Sequence, residues 1–135
     1  DLIGANKIEL PNITIKYFPW QEETEHELAR QLNVGIMPLE NSLWEQGKCG
    51  YKIIQYFACG VPAIASNLGA NKDIISHGVN GYLADTTTDW LQYLNVLKED
   101  SKLRKNIGQN ARITVENKYN TNIIASELKK IFTQL

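Results

Sequence analysis

The sequence has 135 residues, which is the size of one folded domain. Its 43% hydrophobic and 21% charged residues are typical of a globular protein and exclude a disordered tail, a collagen or a disulfide-stabilised miniprotein. Fourteen basic against fifteen acidic residues give a net charge of −1, which disfavours a general electrostatic binder of nucleic acid. The sequence also contains no apolar run near the ~18 residues that a membrane span needs.

Short apolar segments alternate with helix-forming segments along the chain. We predict strands at residues 2–4, 13–18, 34–37, 63–66 and 81–84, and a loop at 39–47. Helices are predicted at 21–33, 48–59 and 71–76, from a cap at 85–89 to about 98, and at 101–119 and 122–132. This order predicts an α/β, Rossmann-like domain with a parallel sheet and helices on both faces. Because the first strand is a stub, we expect the sheet to lack an upstream strand and the chain to be the later part of a longer protein.

The helix predicted at 48–59 carries a polar stripe that indicates an anion site. Within about 60° on a helical wheel lie Lys48, Lys52, Gln55 and Cys59, with Ile53, Ile54 and Phe57 on the other side. Lysines near a helix start do not suit the helix dipole, whereas the free N–H groups there attract anions. A bound phosphate or diphosphate would explain these lysines, and Gly47 would let the backbone approach such a ligand. The alternative is a solvated lysine face.

Two further features lie at the edge of the sheet where ligands of parallel sheets bind. Gly69 and Asn71 belong to a small polar loop that opens a helix, which is either a second N–H-rich anion site or an ordinary turn. Trp20, next to a proline, either walls a nucleobase pocket or closes the core. Cys49 and Cys59 lack the spacing of zinc ligands, so we expect no metal and interpret them as small buried thiols in a reducing cytosol.

Three runs of this sequence resemble the group-1 glycosyltransferases of GT-B fold. They are VGIMP at 34–38, GKCGYKIIQYFACGVPAIAS at 47–66 and HGVNGYLA at 77–84, and the resemblance extends from residue 13 to residue 135. It implies that residues 1–135 form the nucleotide-sugar (donor) binding domain, the C-terminal half of a GT-B fold. The upstream part of this domain and an N-terminal acceptor domain would then lie outside the chain.

The resemblance also implies roles for individual residues. In the family, a Glu-x7-Glu motif contacts the donor sugar and the ribose, and here its two positions hold Gly47 and Gln55. Some members of the family carry a form like GKCGYKIIQY, so the departure indicates a subgroup. By this comparison Gln55 would hydrogen-bond a ribose hydroxyl, and Lys48 or Lys52 would pair with diphosphate oxygens.

The implied function is the transfer of a hexosyl group from a nucleoside-diphosphate sugar, without a cofactor, in bacterial polysaccharide or glycoconjugate synthesis. The carbohydrate or lipid-linked acceptor would bind the missing N-terminal domain, so we expect the chain alone to be inactive. Retention of the anomeric configuration and a cytoplasmic location are expected, with peripheral association of the full-length enzyme at the inner face of the membrane left open. The alternative is a non-catalytic Rossmann-like binding module, a degenerate glycosyltransferase. The missing acids favour this alternative, whereas the lysine stripe and the glycine loops favour the enzyme.

Overall fold

The computed structural model describes residues 2–4 and 6–133, whose elements follow the predicted alternation. The strands are β1 (Leu2–Ile3), β2 (Tyr17–Phe18), β3 (Gly35–Met37), β4 (Ala63–Ser66) and β5 (Gly81–Ala84). The helices are α1 (Glu25–Arg30), α2 (Leu43–Gln46), α3 (Tyr51–Ala58), α4 (Asn71–Ile74), α5 (Thr87–Glu99), α6 (Ser101–Lys118) and α7 (Thr121–Phe132). Within the described residues, no helix is both long enough and apolar enough to cross a membrane.

All strand pairs described are parallel, and they form two sheets. In the smaller sheet β1 pairs with β2, with Leu2 opposite Tyr17. The larger sheet has the order β3-β4-β5, with Ile36 opposite Ile64 and Ile64 opposite Tyr82. The predicted α/β domain with parallel strands is confirmed, but as a two-stranded and a three-stranded sheet rather than a continuous one. The short strand predicted at residues 2–4 is observed as β1, and it pairs with the next strand, β2.

The strand β4 forms the centre of the fold, since all four of its residues are buried. Side chains alternate between the two faces of a strand. Accordingly, Ala63 and Ala65 pack in one apolar cluster with Phe57 of α3, whereas Ile64 packs in a second cluster with Leu97 of α5. Helices therefore cover both faces of the larger sheet, as predicted.

Local sequence explains where the helices next to this core begin and which side they bury. On α3, Ile53 and Phe57 are four residues apart and both fully buried, as an amphipathic helix requires. The helix α5 begins with a capping box, in which the Thr86 side chain accepts from the N–H of Asp89 and the Asp89 side chain accepts from the N–H of Thr86.

Several predicted boundaries are wrong where tertiary contacts decide them. The strand predicted at 13–18 is observed only at Tyr17–Phe18, where β1 provides backbone partners. The helix predicted at 21–33 forms only over Glu25–Arg30, and the side chain of Thr24 makes no capping hydrogen bond. The loop predicted at 39–47 contains α2, which Ser42 caps by accepting from the N–H of Glu45.

The helix predicted at 48–59 begins only at Tyr51. Gly50 has a φ of 68°, a left-handed conformation that ends any helical path arriving from residue 48. Lys48 therefore lies outside the helix. The two cysteines are free thiols, but the prediction that both are buried is wrong, since Cys49 is exposed and Cys59 only partly covered.

Candidate functional site

A groove of about 490 Å³ lies between α1 and α3 and reaches the strands β1 and β3. Its apolar lining includes Ile3, Ala29, Ile36 and Tyr56, and its polar lining includes Glu25, Lys52 and Gln55. Ile36 is 50% exposed although it belongs to a strand, so the groove presents apolar surface to an occupant. An apolar wall with a few polar groups at one end is the usual composition of a small-molecule site.

One carboxylate connects the polar residues of this groove. The Lys52 Nζ donates to Glu25 Oε1 at 2.6 Å, and the Gln55 Nε2 donates to Glu25 Oε2 at 3.2 Å. A single carboxylate can reach both because positions three apart on a helix are surface neighbours. The Glu25 side chain is 20% exposed and that of Lys52 54%, so the carboxylate lies in the wall and the ammonium at the rim.

These contacts favour the ionised form of the Glu25 carboxyl group. The hydrogen bond from Lys52 holds the pKa of Glu25 below its usual value; partial desolvation opposes this, and hydrogen bonds from Trp20 and Gln55 add to it. The Oε1 atom of Gln55 is buried without a hydrogen-bond partner among the described residues. The polar end of the groove thus contains an ionised carboxylate, a group that can accept hydrogen bonds from ligand hydroxyl or N–H groups.

The start of α3 forms the second part of the site. Since α3 follows β3 and precedes the parallel strand β4, its first turn lies on the carboxyl side of the sheet. Among the residues that the structure describes, no side chain caps this turn. Asn71 is 1% exposed and donates from Nδ2 to the carbonyl of Ser66 at 2.9 Å, and its Oδ1 has no hydrogen-bond partner in the described part of the chain. That Oδ1 lies 3.5 Å from the position a Cβ on Gly50 would take, so the Asn71 side chain reaches the start of α3.

The helix α2 connects the remaining predicted residues to this turn. Gly47 ends α2, and Gly69 packs so closely that a Cβ there would lie 2.6 Å from the carbonyl oxygen of Gln46. Lys48 pairs with Glu45 at 2.8 Å, and its side chain is 44% exposed. Both lysines predicted to bind an anion are therefore paired with a carboxylate.

Six of the seven residues predicted from the sequence form two neighbouring groups. The first, around the groove, consists of Lys52 and Gln55; the second, around the start of α3, consists of Gly47, Lys48, Gly69 and Asn71. Trp20 is 55% exposed, lies beside Gly4 and is not among the described residues that line the groove. The sequence prediction missed Glu25, which accepts hydrogen bonds from both members of the first group. Nothing in the sequence distinguishes it from the other acids of residues 22–27, since only the packing of α1 on α3 selects it.

A smaller polar pocket of about 330 Å³ lies at the carboxyl ends of β4 and β5. Its lining includes Asn67, which donates to Asp85 at 3.0 Å, together with Ser66 and Trp90. Ser66 Oγ accepts from the N–H of Leu39 and donates to its carbonyl, so this pocket is joined to the segment that leads into α2.

The family model described as "Glycosyl transferases group 1" matches residues 6–114, and the chain belongs to this family. The fold is that of the C-terminal domain of GT-B glycosyltransferases. One relative, the N-acetyl-alpha-D-glucosaminyl L-malate synthase of Bacillus anthracis, is 34% identical over 112 residues, which cover 78% of this chain and 29% of that protein. The spore coat protein SA of Bacillus subtilis (strain 168) is 31% identical over 78 residues, which cover 56% of this chain and 21% of that protein.

Solved structures agree with this fold. HepE of Anabaena, crystallised with UDP-glucose, matches with a TM-score of 0.74 at 19% identity over 89% of this chain and 32% of its own. The C-terminal domain of the group 1 protein LpcC from Francisella tularensis matches with a TM-score of 0.64 at 25% identity over 78% of this chain and 54% of its own. The chain spans less than a third of the length of the two curated relatives from Bacillus that it matches.

Proposed function

We propose that residues 1–135 form the donor-binding domain of a glycosyltransferase that takes a hexosyl group from a nucleoside-diphosphate sugar. The nucleoside would occupy the groove between α1 and α3, and the diphosphate would lie at the start of α3. The observation that carries the proposal is the continuity of the two parts, since Lys52 belongs both to the first turn of α3 and to the rim of the groove.

The chemistry of the two parts matches the two halves of such a donor. Uncapped N–H groups at a helix start bind phosphate oxygens, and the Lys52 ammonium adds a charge-assisted contact. Glycosyl transfer leaves negative charge on the departing diphosphate, which these groups would stabilise. The Lys52 ammonium has two further N–H donors beside the one that Glu25 accepts, so it can contact a phosphate oxygen while it keeps that bond.

The complexes of HepE with UDP, with UDP and glucose, and with UDP-glucose support a uridine nucleotide as the first ligand to test. We propose the retaining stereochemistry, the bacterial polysaccharide or glycoconjugate pathway, and a location at the inner face of the membrane from the family resemblance alone. Acceptor contacts would come from a separate N-terminal domain, so the 135-residue chain should bind donor without transferring sugar.

Calorimetric titration of the chain with UDP and GDP tests the proposal, with uridine and inorganic diphosphate as component probes. We expect weak binding of a nucleoside diphosphate that UDP-glucose displaces, and weaker binding of either component. Lys52→Ala should weaken UDP binding by about ten- to a hundredfold, because a charge-assisted hydrogen bond is worth about 1.5–3 kcal/mol. Lys105→Ala, which removes the same charge from an exposed position on α6, is the matched control and should leave the affinity unchanged. No binding of UDP, GDP or a sugar nucleotide at millimolar concentration would contradict the proposal.

The non-catalytic alternative has a specific observation in its favour. The two positions of the family's acidic pair hold Gly47 and Gln55, and both site lysines are paired with carboxylates. The alternative would be established if the domain binds sugar nucleotides while the longer protein that contains it neither transfers nor hydrolyses them.

A further inference from the structure

The groove between α1 and α3 contains a side chain that neither the family resemblance nor the predicted site includes. We infer that Glu25 is the positioning residue of this groove: its carboxylate holds Lys52 and Gln55 in the orientation in which they meet the ligand. The identity of that ligand rests on the function proposed above, whereas the positioning rests on the contacts alone.

The two oxygens of Glu25 have separate partners, and this division fixes both side chains of α3. Oε2 accepts from Gln55 Nε2, so the amide can adopt only one of its two orientations, with its oxygen turned away from the carboxylate. Oε1 accepts one of the three N–H donors of Lys52 at 2.6 Å, which leaves two donors for phosphate oxygens. Without Glu25, the half-exposed lysine would have to be ordered when the ligand binds, at an entropic cost.

Other titratable groups lie around the Glu25 carboxylate without taking its place as the acceptor of the hydrogen bonds from Lys52 and Gln55. Lys52 and Tyr56 face it from α3, and Glu22 and His26 line the groove from the α1 side. Among the described residues, the hydrogen bonds of Lys52 and Gln55 both go to Glu25. The Trp20 side chain lies near the same carboxylate and beside Gly4. One acid therefore joins α1 and α3.

Glu25→Gln tests the inference because it keeps the shape and removes one acceptor. The new amide nitrogen would face Gln55 Nε2, which brings two hydrogen-bond donors into contact. Because two donors cannot bond to each other, the Gln55 amide should turn over. Glu27→Gln is the matched control, since it removes the same charge from an exposed position on the same helix. Combining Glu25→Gln with Gln55→Glu exchanges donor and acceptor across the contact and should restore the hydrogen bond with the side chain of residue 55 in its original orientation.

The first readout needs no ligand. In proton–nitrogen spectra recorded while the pH is lowered, the indole N–H of Trp20 and the side-chain amide of Gln55 should shift with one common midpoint, below the usual glutamate range. Glu25→Gln should abolish this shared transition and Glu27→Gln should retain it. Separate midpoints, or a shared one that survives Glu25→Gln, would overturn the inference.

The second readout is UDP affinity. Glu25→Gln should weaken UDP binding by about tenfold, Glu27→Gln should not, and the double exchange should recover most of the loss. Unchanged affinity in Glu25→Gln would overturn the inference even if the spectra show the shared transition. If the wild-type chain shows the shared transition but binds no nucleotide, the proposed function fails and the positioning by Glu25 stands.

Discussion

The glycine before α3 supports a quantitative prediction: Gly50→Ala should destabilise the domain strongly, whereas Gly47→Ala should not. Gly50 has a φ of 68°, and a left-handed conformation costs an L-residue about 1–2 kcal/mol. A Cβ at this position would lie 2.4 Å from Cδ1 of Ile74, which is 5% exposed and has little room to move. Overpacking of this kind costs about 1–3 kcal/mol, so we expect a total loss of about 2–5 kcal/mol.

Gly47 is the matched control, since it ends the neighbouring helix α2 with a φ of −79°. An added Cβ would lie 3.5 Å from the carbonyl oxygen of Trp44, an ordinary contact. Because alanine fits this conformation and restricts the unfolded chain, Gly47→Ala should stabilise the domain by about 0.4–1 kcal/mol. Ile74→Val removes the clashing methyl and, although destabilising alone, should recover about 1 kcal/mol when combined with Gly50→Ala.

Urea unfolding followed by far-ultraviolet circular dichroism measures these free energies, provided that the slope with denaturant stays constant across the variants. The reasoning is refuted if Gly50→Ala unfolds within about 0.5 kcal/mol of the wild type, a range typical of an ordinary surface substitution. Strict additivity of Gly50→Ala and Ile74→Val would show that the methyl contact is not the source of the loss.

Three other predictions concern the core, the capping box and the thiols. Phe57→Ala should cost about 3–5 kcal/mol in the same urea assay because Phe57 is fully buried, whereas Lys52→Ala on the exposed side of α3 should cost no more than about 1 kcal/mol. Hydrogen bonds from the N–H groups of Thr86 and Asp85 lower the pKa of Asp89. The ionised Asp89 carboxylate therefore stabilises the folded domain at neutral pH, and this stabilisation is lost as the pH falls through the lowered pKa. The difference in melting temperature between wild type and Asp89→Asn should therefore shrink on acidification, and a constant difference would contradict this. Alkylation followed by mass spectrometry should label the exposed Cys49 before Cys59, whose thiol pKa is raised by burial, and the reverse order would contradict the assignment.

The parts of the fold that were predicted correctly are those that local sequence determines. The strands β4 and β5 agree with the predicted segments 63–66 and 81–84 to the residue, because each is a short apolar run bounded by glycine, proline or polar residues. The limits of β2 could not be predicted, since they depend on where a partner strand offers backbone groups. The exposed Cys49 was missed because the prediction relied on the general tendency of free cysteines to be buried, whereas Cys49 precedes α3 in the chain segment that ends at Gly50.

The candidate site shows the same division between local and long-range information. The wheel correctly placed Lys52 and Gln55 opposite the buried Ile53 and Phe57, because that periodicity lies within one helix. The bond between Lys52 and Glu25 joins residues 27 positions apart and depends on the packing of α1 against α3. No periodicity within a single segment can indicate such a contact.

The proposed function requires that a nucleoside diphosphate binds along the groove and at the start of α3. Proton–nitrogen spectra recorded during titration with UDP-glucose test this binding, because they report each backbone amide separately. We predict shifts concentrated at residues 47–55 and 66–71, together with the side-chain signals of Trp20 and Gln55, while the amides of α7 stay in place. Saturable shifts confined to other surfaces, or no shift at millimolar UDP-glucose, would contradict the claim.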